Sequence, residues 1–89
     1  MLLHELTNYE LATMAVALLG GEVEPVDRED IAVKLDELAP GRFAWRKYPE
    51  RIDLVAVVNA LLDAKRPKYG GLLVGSNLRG WMLTTSGLD

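Results

Sequence analysis

The sequence predicts an α+β domain in which three helices precede a C-terminal β-hairpin. Three segments carry apolar residues at helical spacing, and two strand-like runs then flank a turn that contains glycine. The chain has 89 residues, of which 49% are hydrophobic, so it is long enough for one small core and too apolar for a disordered tail. We expect a single domain over residues 1–89 that forms the N-terminal module of a longer protein.

The first helix is predicted over about residues 8–19. Thr7 and Glu10 have the spacing of a capping box, in which each side chain bonds the backbone N–H of the other residue. Apolar residues then recur at steps of three and four: Leu11, Met14, Ala15, Leu18 and Leu19. Gly20 and Gly21 follow, and glycine readily adopts the positive φ at which helices end.

A second helix is predicted over about residues 28–38. The preceding Glu22–Val26 segment reads either as a short strand or as an extended linker. Asp27 is placed to cap the helix, and Glu29 and Asp30 bring negative charge to its first turn, which the helix dipole favours. The apolar face consists of Ile31, Leu35 and Leu38, and Pro40-Gly41 ends the helix.

The third helix is predicted to end at about Lys65, before Pro67. Its start is open between two possibilities, with Pro49 in the first helical position or Asp53 as the N-cap. Its larger apolar residues predict the core face: Leu54, Val55, Val58, Leu61 and Leu62. The outward face would then present Asp53, Ala56, Ala60, Asp63 and Ala64.

The end of the chain predicts a hairpin. Leu72–Val74 and Trp81–Thr84 are strand-like, and the six residues Gly75–Gly80 between them are turn-forming. Together with the helices, this hairpin predicts one core, to which we assign Leu11, Leu18, Ile31, Leu35, Val58, Leu61, Leu62 and Leu83.

Composition argues against an enzyme, and we expect no cofactor and no metal. The chain has no cysteine and one histidine, His4, which excludes a thiol-based metal site and a histidine cluster. Helix capping accounts for the placement of Glu10, Asp27 and Asp30. The glycines around residues 70–75 lack the Lys-Ser/Thr ending of a phosphate-binding loop. No apolar run is long enough to span a membrane, and we expect a cytoplasmic protein.

Charge is unevenly distributed along the chain. Residues 1–41 carry nine acids and two bases, whereas residues 42–51 carry four bases and one acid. This basic segment also holds three of the six aromatic residues. We expect Phe43 and Trp45 to be buried, because a small core needs their volume. Arg42, Arg46, Lys47 and Arg51 are candidates for contact with phosphates, and a solvated loop is the alternative.

The order of elements resembles that of the winged helix-turn-helix. The segment Gly80–Gly87 is similar to the aromatic-x-Leu-Thr-x-x-Gly segment that closes the wing in many bacterial and archaeal members. The resemblance implies that Leu83 points into the core, and that Thr84 and Gly87 lead the chain out of the strand. It also implies that the third helix and the wing face duplex DNA. The linker between the second and third helices, about ten residues, is longer than the turn of about three or four residues in a plain helix-turn-helix.

The predicted nucleic-acid-binding residues extend beyond the basic segment to the third helix and the wing. Arg79 and Asn77 at the wing tip contact DNA or belong to an ordinary solvated turn. Lys65, Arg66 and Lys68 extend the basic surface or complement the helix dipole. The full set is Arg42, Arg46, Lys47, Arg51, Asn59, Lys65, Arg66, Lys68, Asn77 and Arg79.

Two functions follow as hypotheses. The first is a duplex-DNA-binding module of a transcription regulator, or of a DNA-processing or defence protein. Its contacts would be mainly to phosphate, because Asn59 and Arg51 alone suit base readout and Asp53 and Asp63 repel DNA. The second is a protein-interaction module, or a homodimer through the third helix, using the acidic first helices or the alanine face. One continuous basic face would favour the first, and scattered bases beside an apolar patch the second.

Overall fold

The computed structural model describes residues 3–88. Its elements are α1 (Asn8–Leu18), α2 (Arg28–Leu38), α3 (Leu54–Lys65), β1 (Leu73–Ser76), β2 (Gly80–Leu83) and a short helical turn, α4 (Thr85–Leu88). Short 3₁₀ turns lie at Leu3–Glu5 and Pro67–Tyr69. The fold is α+β as predicted, with three main helices and a C-terminal antiparallel hairpin, a layout consistent with that of a winged helix.

The first two helices begin as the sequence predicts. The Glu10 N–H donates to the Thr7 hydroxyl at 3.3 Å, and the Thr7 N–H donates to the Glu10 carboxylate at 2.9 Å. The hydrogen bond from the Thr7 N–H holds the pKa of the Glu10 carboxyl below its usual range, and the bond from the Thr7 hydroxyl adds a smaller effect in the same direction. At α2 the Asp27 carboxylate accepts from the Glu29 N–H at 2.8 Å. Each cap therefore bonds an amide that has no partner within the helix.

Asp53 is the cap of α3, which resolves the two possible starts of this helix. Its carboxylate accepts from the N–H groups of Val55 and Ala56, at 3.1 and 3.3 Å. Pro49 therefore lies in the preceding loop and not at the first helical position.

The hairpin pairs Leu73 with Leu83 and Ser76 with Gly80. Gly75 has a φ of 134°, and a Cβ there would collide with the carbonyl oxygen of Gly80, so the close approach of the two strands requires glycine. The segment between α1 and α2 reaches this hairpin through one residue, because Val26 and Trp81 exchange two backbone hydrogen bonds of 2.9 Å. Glu22–Val26 is therefore neither a strand nor extended throughout: Glu22 and Val23 belong to a turn in which the N–H groups of Val23 and Glu24 donate to the Gly20 carbonyl, and the segment ends in a single β-bridge.

The exit from β2 agrees with the roles that the resemblance implies. Leu83 is partly buried and packs against the core. The Thr84 hydroxyl donates to the Gly71 carbonyl at 2.6 Å and accepts from the Gly87 N–H at 3.1 Å. A Cβ at Gly87 would collide with the Leu72 carbonyl oxygen, so glycine allows α4 to lie against Leu72, the residue before β1.

Half of the predicted core is fully buried, namely Leu11, Ile31, Leu35 and Leu61, while Val58 and Leu83 are partly buried. The prediction was wrong for Leu18 and Leu62, which are 59% and 42% exposed. The buried face of α1 is rotated toward Ala12 and Val16, which leaves Leu18 at the edge of the helix contact. Trp81, Phe43, Leu73, Val16 and Val57 complete the core as its other large, fully buried side chains.

The predicted orientation of α3 was also wrong. Its buried residues are Val57, Ala60, Leu61 and Ala64, whereas Val55 is 68% exposed. Small side chains let α3 pack closely against α1, which buries alanines of its own, and this close contact decides which face points inward. The alanine face is thus core and not a partner surface.

No helix within residues 3–88 has both the length and the apolar character needed to cross a membrane.

Candidate nucleic-acid interface

Residues 45–51, here called the basic loop, project between α2 and α3 and are closed at their base. Ala44 and Ile52 form an antiparallel bridge. Just outside it, the Asp53 N–H donates to the Phe43 carbonyl at 2.6 Å; just inside it, the Trp45 N–H donates to the Arg51 carbonyl at 3.0 Å. Phe43 is fully buried, as predicted, and anchors this base in the core.

The cations of the basic loop face solvent. Arg46, Lys47 and Arg51 are exposed, and within residues 3–88 none of their side chains forms a hydrogen bond or an ion pair. The Lys47 ammonium lies 6.0 Å from the centroid of the Tyr48 ring. Their charges are therefore available to an external anion, and Glu50 is the single acid of the loop.

The aromatic residues of the basic loop are also accessible. Trp45 is 48% and Tyr48 46% exposed, so the predicted burial of Trp45 was wrong. The two rings meet edge to face, with centroids 6.2 Å apart and planes at 65°. Together with Arg51 they line a cleft of about 330 Å³. The chain leaves the core surface after the Ala44 bridge, which explains why Phe43 is buried and Trp45 is not.

Arg42 does not belong to this set of free cations. Its Nε donates to the Asn8 side chain at 2.8 Å, and its guanidinium also donates to the Leu6 carbonyl. It therefore fastens the segment before the basic loop to the start of α1. We assign Arg42 a structural role, which no local pattern in the sequence indicates.

Of the three cations at the end of α3, Lys65 and Arg66 are engaged as well, whereas Lys68, like Lys47, forms neither a hydrogen bond nor an ion pair within residues 3–88. The Lys65 ammonium donates to the Gly75 carbonyl at 2.7 Å and lies 5.9 Å from the Trp81 ring centroid. Arg66 lies 3.7 Å from the Asp63 carboxylate. The Lys68 ammonium sits 5.4 Å from the ring centroid of Tyr69. Lys65 thus links α3 to the wing, and Asp63 reduces the positive potential around Arg66.

The wing tip is exposed and only weakly basic. Asn77 and Arg79 both face solvent, and the Arg79 N–H donates to the Ser76 hydroxyl at 3.1 Å, which shapes the turn. Leu78, between them, is 92% exposed.

The outward face of α3, here defined as Val55, Val58, Asn59 and Leu62, is uncharged. Asn59 is exposed between Val55 and Leu62, which are themselves accessible, and Val58 is partly buried. Asn59 is the single side chain on this face that suits adenine recognition. Three free cations therefore share one loop, while the helix next to them presents an apolar stripe.

Within residues 3–88, no group of three or more His, Asp or Glu side chains is placed to hold a metal ion. Comparison with protein-family models, with curated proteins and with solved structures finds no match for this chain.

Proposed function

We propose that this chain is a winged-helix-type module that binds duplex DNA in the cytoplasm through its basic loop, mainly by phosphate contacts and without enzymatic activity. The observation that carries the proposal is the basic loop itself. Arg46, Lys47 and Arg51 are exposed and unpaired within residues 3–88, in a loop that the Ala44–Ile52 bridge closes. Cations that have no intramolecular partner are the groups that can replace the counterions condensed on DNA.

The position of the loop supports the same proposal. Arg51 lies two residues before Asp53, which caps α3, so the loop leads into the helix that faces DNA in the resembled fold. The chain is acidic overall, with a net charge of −3, so its long-range field does not attract DNA. Binding therefore depends on local contacts, and the uncharged outward face of α3 contributes little base readout.

Replacing Arg46 and Lys47 by Ala together is expected to weaken binding to all duplex sequences about equally. Each lost phosphate contact removes one site of counterion release, so the slope of log affinity against log salt should become shallower by about two units. Fluorescence anisotropy of a labelled random-sequence duplex, titrated at several salt concentrations, measures both quantities.

The matched control replaces Arg28 and Lys34 by Ala, because these cations lie on α2, outside the basic loop. The control removes the same charge and should bind like the unaltered chain. An equal loss in both double variants would mean that net charge alone drives binding. That result, or no binding at low salt, would overturn the proposal.

A second candidate function, association of two copies through α3, is favoured by the exposure of Val55 and Leu62. The outward face of α3 has no charge, so two copies of this acidic chain could meet there without like-charge repulsion. In a two-fold dimer, the outward face of α3 on one copy would contact the same face on the other copy.

This rival predicts a dimer that persists at high salt, since screening does not weaken apolar contacts. Leu62→Asp should leave a monomer in sedimentation velocity runs at about 0.5 M salt. Leu78→Asp makes the same change at an exposed wing-tip leucine and should leave the dimer intact. A monomer at every concentration of the unaltered chain would exclude this candidate.

A further inference from the structure

A groove along α2 has the opposite charge to the basic loop. It has a volume of about 480 Å³ and is lined by Leu19, Val26 and Val33 among charged residues. Four carboxylates and one ammonium stand around it, those of Glu24, Asp27, Asp30, Glu37 and Lys34. The groove therefore has apolar lining and a net charge of −3.

Two of these carboxylates have no intramolecular partner within residues 3–88. Lys34 pairs with Glu37 at 2.9 Å, and Asp27 accepts from the Glu29 N–H as the cap of α2. Glu24 and Asp30 are exposed and make neither kind of contact. An incoming cation would therefore find two free carboxylates beside accessible apolar side chains.

We propose that this groove receives the basic loop of a second copy of the chain. The loop offers what the groove lacks: a net charge of +2 over residues 45–51 and two half-exposed rings, Trp45 and Tyr48. Tyr, Trp and Arg are the residues that most often dominate protein interfaces. The Ala44–Ile52 bridge closes the loop at its base, and none of its residues lines the groove of its own chain.

Because loop and groove are different surfaces, a contact of one loop with one groove joins two copies head to tail. Such a pair keeps one free loop and one free groove, so the assembly can extend into a ring or an open filament. One loop in one groove is a small interface at the low end of specific contacts, so association is weak. Charge attraction drives it, so it weakens as salt rises.

Sedimentation equilibrium tests this inference. The mean mass of the unaltered chain should rise above 9.8 kDa with concentration at about 25 mM salt, and should return to that value at about 0.5 M salt. A groove variant, Glu24→Gln with Asp30→Asn, and a loop variant, Arg46→Gln with Lys47→Gln, should each stay monomeric. Their equimolar mixture should form dimers and nothing larger, since one intact loop then meets one intact groove.

The charge-matched control, Glu5→Gln with Asp36→Asn, neutralises two acids outside the groove lining and should associate like the unaltered chain. Monomers in the mixture, or association that survives in both single-surface variants, would overturn the inference. Association that is lost only with Leu62→Asp would assign the contact to α3 and would overturn it equally.

The inference uses the same loop as the proposed DNA binding but stands apart from it. The groove variant should keep its affinity for DNA, because its loop is intact. Loss of association in this variant with DNA binding retained separates the two activities. DNA binding without any self-association would overturn only the inference, and self-association without DNA binding would overturn only the proposed function.

Discussion

Trp81→Ala is expected to lower the free energy of unfolding by about 3–5 kcal/mol, the usual range for truncating a large core aromatic. The Trp81 side chain is fully buried, and its backbone exchanges two hydrogen bonds with Val26. These backbone bonds hold the α1–α2 linker against the wing and remain in the variant, whereas loss of the indole side chain would leave a cavity in the core. Urea denaturation followed by far-UV circular dichroism measures the change.

Trp45→Ala is the matched control, because it removes the same side chain from a half-exposed position. We expect a change of less than about 1 kcal/mol there, as for most surface substitutions. Trp81→Phe should be milder than Trp81→Ala, since it keeps a ring and removes an indole N–H that has no partner within residues 3–88. Similar losses for Trp45→Ala and Trp81→Ala would contradict this account of the core.

The helix boundaries could be predicted from sequence because their signals are local. Thr7 and Asp27 bond amides two or three residues ahead, so the residues that form each cap are adjacent in the chain. The structure gives α2 the predicted limits and ends α1 one residue early. The hairpin was predicted too, but the predicted six-residue turn Gly75–Gly80 was wrong: Gly75 and Ser76 pair with Trp81 and Gly80, because glycine lets the strands approach closely, and the turn is Asn77–Arg79.

The orientation of α3 could not be predicted for a physical reason. Its sequence, Leu-Val-Ala-Val-Val-Asn-Ala-Leu-Leu-Asp-Ala-Lys, has apolar residues all around the helix, so periodicity does not single out one face. Choosing the larger residues placed the core face roughly a third of a turn away from its true position. The close approach of α1, which a single helix sequence does not encode, favours Ala60 and Ala64 on the inside.

The candidate site likewise has a part that the sequence predicts and a part that it does not. The basic loop could be predicted from the composition of residues 42–51, which hold four bases and one acid. Its three free cations, Arg46, Lys47 and Arg51, are all among the residues predicted to contact phosphate. The engagement of Arg42 with Asn8 depends on a contact between residues 34 positions apart, and that of Lys65 depends on the position of the wing. Such distant partners decide which cations stay free, and local sequence does not reveal them.

Leu35→Ala is expected to destabilise the chain by about 2–5 kcal/mol, because it leaves a cavity that the surrounding helices fill only in part. Leu35 is fully buried on α2 and lies one helical turn after Ile31, which is buried too. A loss of this size is a large share of the 5–15 kcal/mol by which a typical domain is stable. The midpoint of urea denaturation should fall accordingly.

Val33→Ala provides the comparison on the same helix, since Val33 is 54% exposed. It removes apolar atoms without opening an interior cavity, so its effect should stay within about 1 kcal/mol. Both positions are helical, and ordinary residues differ in helix propensity by at most about 0.7 kcal/mol, so most of the difference between the two variants reports burial. A midpoint for Leu35→Ala equal to that of Val33→Ala would mean that α2 presents a different face to the core.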